Sequence, residues 1–172
     1  IAAGPDGSVV VAWQTPPTSG TAKIMASVNL DGDNASGFSG PSVVTTANSD
    51  GTLPVPAQRE PIPLGVALVW DNSEGPNRGR LYVAFADQAS GLSSNPDSPA
   101  LFVSFAVGTI SSWSEPRRVS LDASFQSMFL PSLAIDPTTG VLAVGWYGTR
   151  GLLGSETSVA DYFVATSTDG IK

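Results

Sequence analysis

Apolar residues fall along this chain in short runs, each closed by a glycine, proline or aspartate turn, and the same runs return in the same order. Gly7-Ser-Val-Val-Val-Ala-Trp13, Gly79-Arg-Leu-Tyr-Val-Ala-Phe85 and Gly140-Val-Leu-Ala-Val-Gly-Trp146 share one template: a turn glycine, an apolar run, and an aromatic. Ahead of them lie Ile1-Ala-Ala-Gly-Pro-Asp6, Val66-Ala-Leu-Val-Trp-Asp71 and Leu133-Ala-Ile-Asp-Pro-Thr-Thr139, apolar stretches that enter a turn as hairpins do. Downstream come Ala22-Lys-Ile-Met-Ala-Ser27, Leu101-Phe-Val-Ser104 and Tyr162-Phe-Val-Ala-Thr-Ser167. A fourth run closes two of the units: Phe38-Ser-Gly-Pro-Ser-Val-Val-Thr45 and Trp113-Ser-Glu-Pro-Arg-Arg-Val-Ser120 match as aromatic, Ser, any residue, Pro, two residues, Val, hydroxyl.

Four short strands per unit predict an all-β chain: a β-propeller segment of about three four-stranded antiparallel blades, the third without its fourth strand. The blades are expected at residues 1–57, 58–125 and 126–172, all in one propeller domain. Three blades alone leave apolar faces and unpaired edges at both ends, so the expected ring has six or seven blades. The remaining blades, from the same chain or another subunit, are then the partners. A β-sandwich is the alternative, although it has no reason to repeat the same motifs in order. Segments 71–79, 88–99 and 148–157 are polar and rich in Gly, Ser and Pro, and read as surface loops.

Val164-Ala-Thr-Ser-Thr-Asp-Gly170 resembles the start of an Asp box, the Ser/Thr-x-Asp-x-Gly-x-x-Trp turn of sialidases and their non-enzymatic relatives, with Ser167, Asp169 and Gly170 in the motif positions. Ser27 with Phe38, and Ser104 with Trp113, resemble loosened copies in the first two units. Pro131-Ser-Leu-Ala-Ile-Asp-Pro137 and Gly145-Trp-Tyr-Gly-Thr-Arg150 are similar to the first and second blade strands of that superfamily, with Gly148 where an Asp is common. The resemblance implies a sialidase-like (Asp-box) propeller in which the box is structural: its hydroxyl and carboxylate bond the turn, and its aromatic tucks between blades.

Composition narrows the chemistry. The 172 residues are 41% hydrophobic and 13% charged, with 18 Gly and 14 Pro, which excludes a solvated disordered chain and long helices. A net charge of −7 argues against nucleic acid and anionic lipid as partners. No apolar run is long enough for membrane insertion as a helix, and Ile1 follows no signal peptide, so it is not expected to be a natural start. Few lysines with many Ser, Thr, Gly and Asn suit an extracellular or cell-surface bacterial protein, although an acidic cytoplasmic protein has a similar make-up.

Cys and His are absent, so catalysis would need carboxylates, hydroxyls, Arg or Tyr. Sialidases of the resembled kind use an arginine triad, a Tyr nucleophile activated by Glu, and an Asp acid/base. Arg78 and Arg80 fall at a turn and Arg117 and Arg118 on an outermost strand. Arg59 and Arg150, beside Tyr147 and Glu60 or Glu156, are the remaining candidates; no Arg-Ile-Pro motif is present. No catalytic residue is therefore assigned. Asn29, Asp31 and Asp33 alternate as calcium-loop ligands do, but the later bidentate Glu is missing, so the possible Ca²⁺ site competes with a solvated acidic turn and no other cofactor is expected. Asn34-Ala-Ser36 is an N-glycosylation sequon. The expected function is a non-catalytic module that binds a glycan or protein, or serves as scaffold. A fragment of a sialidase-type glycoside hydrolase and a structural subunit of an extracellular assembly remain open.

Overall fold

In the computed structural model, residues 1–17, 20–33, 37–55, 60–88, 99–108, 110–119, 125–150 and 159–171 are described. Four antiparallel strands form the first sheet in sequence order: β1 (Ala2–Ala3), β2 (Val9–Gln14), β3 (Lys23–Asn29) and β4 (Ser42–Thr46). A hairpin of β5 (Thr52–Leu53) and β6 (Ile62–Pro63) lies on the connection to the second sheet. That sheet repeats the order with β7 (Val66–Trp70), β8 (Arg80–Gln88), β9 (Pro99–Val107) and β10 (Arg117–Arg118). The third holds β11 (Phe125–Ile135), β12 (Leu142–Arg150) and β13 (Ala160–Ser167), so β11 begins at the last residue of the expected second unit.

Alternation of side chains along the second strand of each sheet explains how the sheets stack. Residues at even steps from the template glycine form a leading face: Val9, Val11 and Trp13; Leu81, Val83 and Phe85; Leu142, Val144 and Trp146. In the second and third sheets none of these six is more than 4% exposed, whereas Trp13 is 37% exposed and its two valines are half-buried. The trailing face behaves inversely. Tyr82, Ala84 and Ala86 are buried beneath the third sheet, while Tyr147, at the same template position as Ala86, is 42% exposed. Each sheet therefore covers its apolar faces with a neighbouring copy, and the two outward faces of the stack remain open.

The innermost strands β1, β7 and β11 lie next to one another, as blades around an axis require. Gly65, with φ 66°, permits their approach: a Cβ there would stand 3.1 Å from Pro131 Cδ. Opposite it β11 bulges between Phe129 and Ser132, with Leu130 at φ 51°. Gln14 anchors the first connection, donating from Nε2 to the Gly51 carbonyl at 2.6 Å and accepting the Leu64 N–H at 3.1 Å. One apolar core runs through the stack, from Val10, Ile24 and Leu53 to Phe85, Leu101, Met128 and Trp146. Among the described residues no two sheets clasp as a sandwich would.

Candidate functional site

The turns after the third strands bear directly on the Asp box. Ser167 pairs with Leu142 in the β12–β13 ladder, and the residues at that level in the other sheets are Asn29, opposite Val9, and Ala106, opposite Leu81. Ser27 and Ser104 lie two residues further in, level with Ala165, so the register corrects their expected assignment as Asp-box positions. The counterpart of Ser167-Thr-Asp-Gly170 is Asn29-Leu-Asp-Gly32, with Gly170 and Gly32 at φ 62° and 65°. Ser167 Oγ donates to Asp169 Oδ1 at 2.9 Å and accepts the Ile171 N–H at 3.3 Å. In the first sheet Asn29 Oδ1 accepts the N–H groups of Asp31 and Gly32 at 3.1 and 2.8 Å. The oxygen expected to face a calcium ion thus closes an Asx turn, while Asp31 and Asp33 are exposed. Among the described residues no cluster of three or more acidic side chains is suited to a metal.

Sequence reasoning assigned no role to the serine after each aromatic. Ser39 Oγ accepts the Val28 N–H at 3.2 Å, and Ser114 Oγ accepts the Phe105 N–H at 3.0 Å, while their own N–H groups donate back to the same residues. This pairing locks each fourth strand onto its third, and the tight repeat of aromatic-Ser-x-Pro was its visible trace. Trp113 then reaches across the seam, its Nε1 donating to Ser42 Oγ of the first sheet at 3.4 Å. Phe38, with no sheet before it, is 47% exposed. Ser27 donates to the Ser39 carbonyl at 2.6 Å, and the buried Ser104 hydroxyl has no partner.

The described aspartates are largely committed to holding turns. Asp6 binds the N–H and hydroxyl of Ser8, Asp50 those of Thr52, and Asp136 the N–H groups of Thr138 and Thr139 and the Thr139 hydroxyl. These bonds hold all three carboxyls below their ordinary range, the largest contribution being the Ser8 hydroxyl, the Thr52 hydroxyl and the Thr139 N–H respectively. Asp71, fully buried, accepts from Ser73 N and Oγ at 3.0 and 2.5 Å through Oδ1. Asp87 ties two blades: Oδ2 accepts the Asn48 N–H at 2.7 Å, and Oδ1 the Ser49 and Gln88 N–H groups at 3.2 and 2.8 Å. Burial pushes its carboxyl up despite these donors. It lines a cleft of about 50 Å³ with Thr45, Asn48, Phe85, Phe102 and Pro116.

Among the described residues the arginines do not converge. Arg78 pairs with Glu74 within the 71–79 turn. Arg80 donates to the Gly170 carbonyl at 3.0 Å and lies 4.6 Å from the Phe105 ring centroid, docking the third sheet's box turn onto the second sheet. Beside it burial pushes the Tyr82 hydroxyl up, with Arg80 opposing. Arg117 and Arg118 line an outer cleft of about 120 Å³ with Val119, Ala165, Thr166 and Ser167. Arg59, Glu156, the Arg150 side chain and the sequon at 34–36 lie outside the described residues. Tyr147 stands between Phe129, at 6.2 Å, and Tyr162, at 5.1 Å, and Tyr162 is hydrogen-bonded to Ser132 at 2.7 Å. Tyr147 and Tyr162 are exposed, whereas Phe129, next to the bulge at Leu130, is buried.

Set against solved structures, 98% of this chain superposes on the Hadza microbial sialidase Hz136, with a TM-score of 0.65 and 14% identity. The fold is that of a sialidase-like β-propeller. The GH93 alpha-L-arabinofuranosidase of Fusarium graminearum, solved in complex with arabinobiose, agrees over 95% of this chain, with a TM-score of 0.62 and 15% identity. The chain spans 34% and 42% of these two proteins, so its three blades correspond to part of such a propeller. No family model matches the sequence, and no curated protein does.

Proposed function

We propose that this chain is a non-catalytic wall of an extracellular sialidase-like propeller that handles glycans. The carrying observation is the likeness over nearly the whole chain to two propellers, one named as a sialidase and the other as an arabinofuranosidase bound to arabinobiose. The carboxylates limit the chemistry: Asp6, Asp50, Asp71, Asp87 and Asp136 each accept backbone N–H groups through at least one oxygen, Asp71 Oδ2 being buried without a partner among the described residues, and Arg78 and Arg80 are engaged within and between blades. On the open trailing face of the third sheet the rings of Tyr147 and Tyr162 and the Ser132 hydroxyl supply the apolar face and polar edge that a sugar ring needs. This contact is offered by the 172-residue chain and lost where a further blade stacks on that face.

Glycan-array binding of the 172-residue chain, with hydrolysis of fluorogenic sialosides and arabinofuranosides in parallel, tests the proposal. Retention on glycans that falls when Tyr147 or Tyr162 becomes Ala, without turnover, supports it. Turnover by this chain would overturn the non-catalytic part, and absence of glycan binding would remove the glycan part. A second reading, a segment of a glycoside hydrolase whose acid and nucleophile lie on other blades, draws on the same structural likeness; it requires turnover by a complete ring of which these blades are part.

A further inference from the structure

Three turns meet at the seam between the second and third blades, and a carboxylate is buried among them with one oxygen left unpaired. The long turn at residues 71–79 passes so close to the turn at 136–140 that a Cβ on Gly75 would stand 2.8 Å from the Thr139 carbonyl oxygen and 3.2 Å from Gly140 Cα. Arg80 and Asn77 bring in the third turn: Arg80 donates to the Gly170 carbonyl at 3.0 Å, and a Cβ on Gly170 would meet the Asn77 amide nitrogen at 2.6 Å. Asp71 is fully buried here. Its Oδ1 accepts the Ser73 N–H and hydroxyl, whereas its Oδ2 is buried and has no partner among the described residues. A buried carboxylate oxygen with no partner is destabilising, so the fold that keeps it there gains from a cation that reaches it.

Oxygen atoms gather around that point. A Cβ on Gly140 would lie 3.5 Å from Asp71 Oδ2 and 2.7 Å from Ser73 Oγ, and one on Gly75 would lie 3.0 Å from the same Ser73 Oγ. The two glycines thus keep side chains away from Asp71 Oδ2, Ser73 Oγ and the Thr139 carbonyl. Ser73 Oγ donates to Asp71 and accepts the Gly75 N–H at 3.0 Å, which leaves it a second lone pair. In a chain without Cys or His this donor set is hard, one carboxylate with neutral oxygens, and it suits calcium. The surroundings set the charge. Asp71, Glu74, Asp136 and Asp169 stand on or beside these turns with Arg78 and Arg80, four negative charges against two positive, and a divalent cation balances the difference. Glu74 and Thr139 are exposed and Gly75 is half-buried, which gives an ion a way in from the surface.

We propose that Asp71 Oδ2, Ser73 Oγ and the Thr139 carbonyl hold a calcium ion, with water completing its shell, and that the ion braces the long turn of the second blade to the first turn of the third. With a single carboxylate the site is weak, filling at about millimolar calcium. The inference goes beyond glycan handling and does not depend on it.

The test strips the whole 172-residue chain with EDTA and melts it in rising CaCl2, with MgCl2 and with NaCl at matched ionic strength as controls. Amide shifts are mapped across the same calcium titration. A saturable rise in Tm is expected, half complete at about 1 mM, with shifts on residues 71–79 and 136–140. Magnesium, which demands near-ideal octahedral geometry, should give a much smaller rise. Asp71→Asn should abolish the calcium-dependent rise. If that variant fails to fold, the shift map of the unaltered chain carries the test without it. An equal rise with NaCl, which is charge screening alone, would overturn the proposal. So would shifts confined to residues 29–33, a calcium effect that survives Asp71→Asn, or no effect up to about 20 mM. Glycan binding with no calcium binding overturns this inference and leaves the proposed function standing, and the reverse leaves the calcium site standing.

Discussion

Replacing the repeat's aromatic by alanine in turn gives an internal measure of how far this fold depends on neighbouring copies. Phe85 and Trp13 stand at the same template position, yet Phe85 is 1% exposed and Trp13 37%. Phe85→Ala empties a space walled by its own sheet and by the first, so both transfer and cavity costs apply, about 3–5 kcal/mol. Trp13→Ala leaves an open notch that water fills. Full burial of a large apolar side chain contributes about 1.5–3 kcal/mol, and Trp13 realises roughly two thirds of that, giving about 1–2 kcal/mol. Urea unfolding of the 172-residue chain measures both, with equal m-values as the check that the unfolded reference is unchanged. If Trp13→Ala costs as much as Phe85→Ala, the leading face of the first blade is already covered in solution, and the open-ended stack is wrong.

The serines divide in the same experiment: Ser114→Ala strands the Phe105 N–H and should cost about 1–3 kcal/mol, whereas Ser104→Ala, whose hydroxyl has no partner, should be neutral or slightly stabilising. Carboxyl NMR titration should place Asp136 below and Asp87 above the ordinary aspartate value of 3.8. The stability that Asp136 contributes is present above that value and lost as pH falls through its depressed pKa. Asp87 has the opposite sign: its ionisation weakens the fold as pH rises from 3.8 through its raised pKa, and Asp87→Asn should remove that segment of the urea-midpoint profile. Gly140→Ala and Gly7→Ala both force a side chain to positive φ, for about 1–2 kcal/mol. Thermal melts should show Gly140→Ala as the more damaging, since its Cβ would stand 2.7 Å from Ser73 Oγ while nothing lies within 4 Å of the one at Gly7.

Much of this architecture is written in the chain because a strand's period of two is a local property. The turn glycines at 7, 79 and 140, the apolar runs behind them and the aromatic-Ser-x-Pro fourth strands identify the elements, their order and their propeller stacking. Legible too was the peripheral placing of Arg117 and Arg118. Less legible was the site. Ser27 and Ser104 resemble Asp-box serines by distance from an aromatic, but a slip of two residues keeps the side chain on the same sheet face, so pattern alone cannot detect it. Asn29 and Asp31 carry the spacing of a calcium loop, and the same spacing serves an Asx turn. Which way an amide oxygen points depends on backbone torsions that composition does not contain.

Local patterning therefore determined strand identity, the repeat and the apolar character of both faces of every sheet. Only the assembled fold decided which faces are covered, why Asp87 lies buried between two blades, and that Arg80 docks a distant turn. Those outcomes join residues far apart in sequence, and they depend on packing and distance in space, which no stretch of chain encodes by itself.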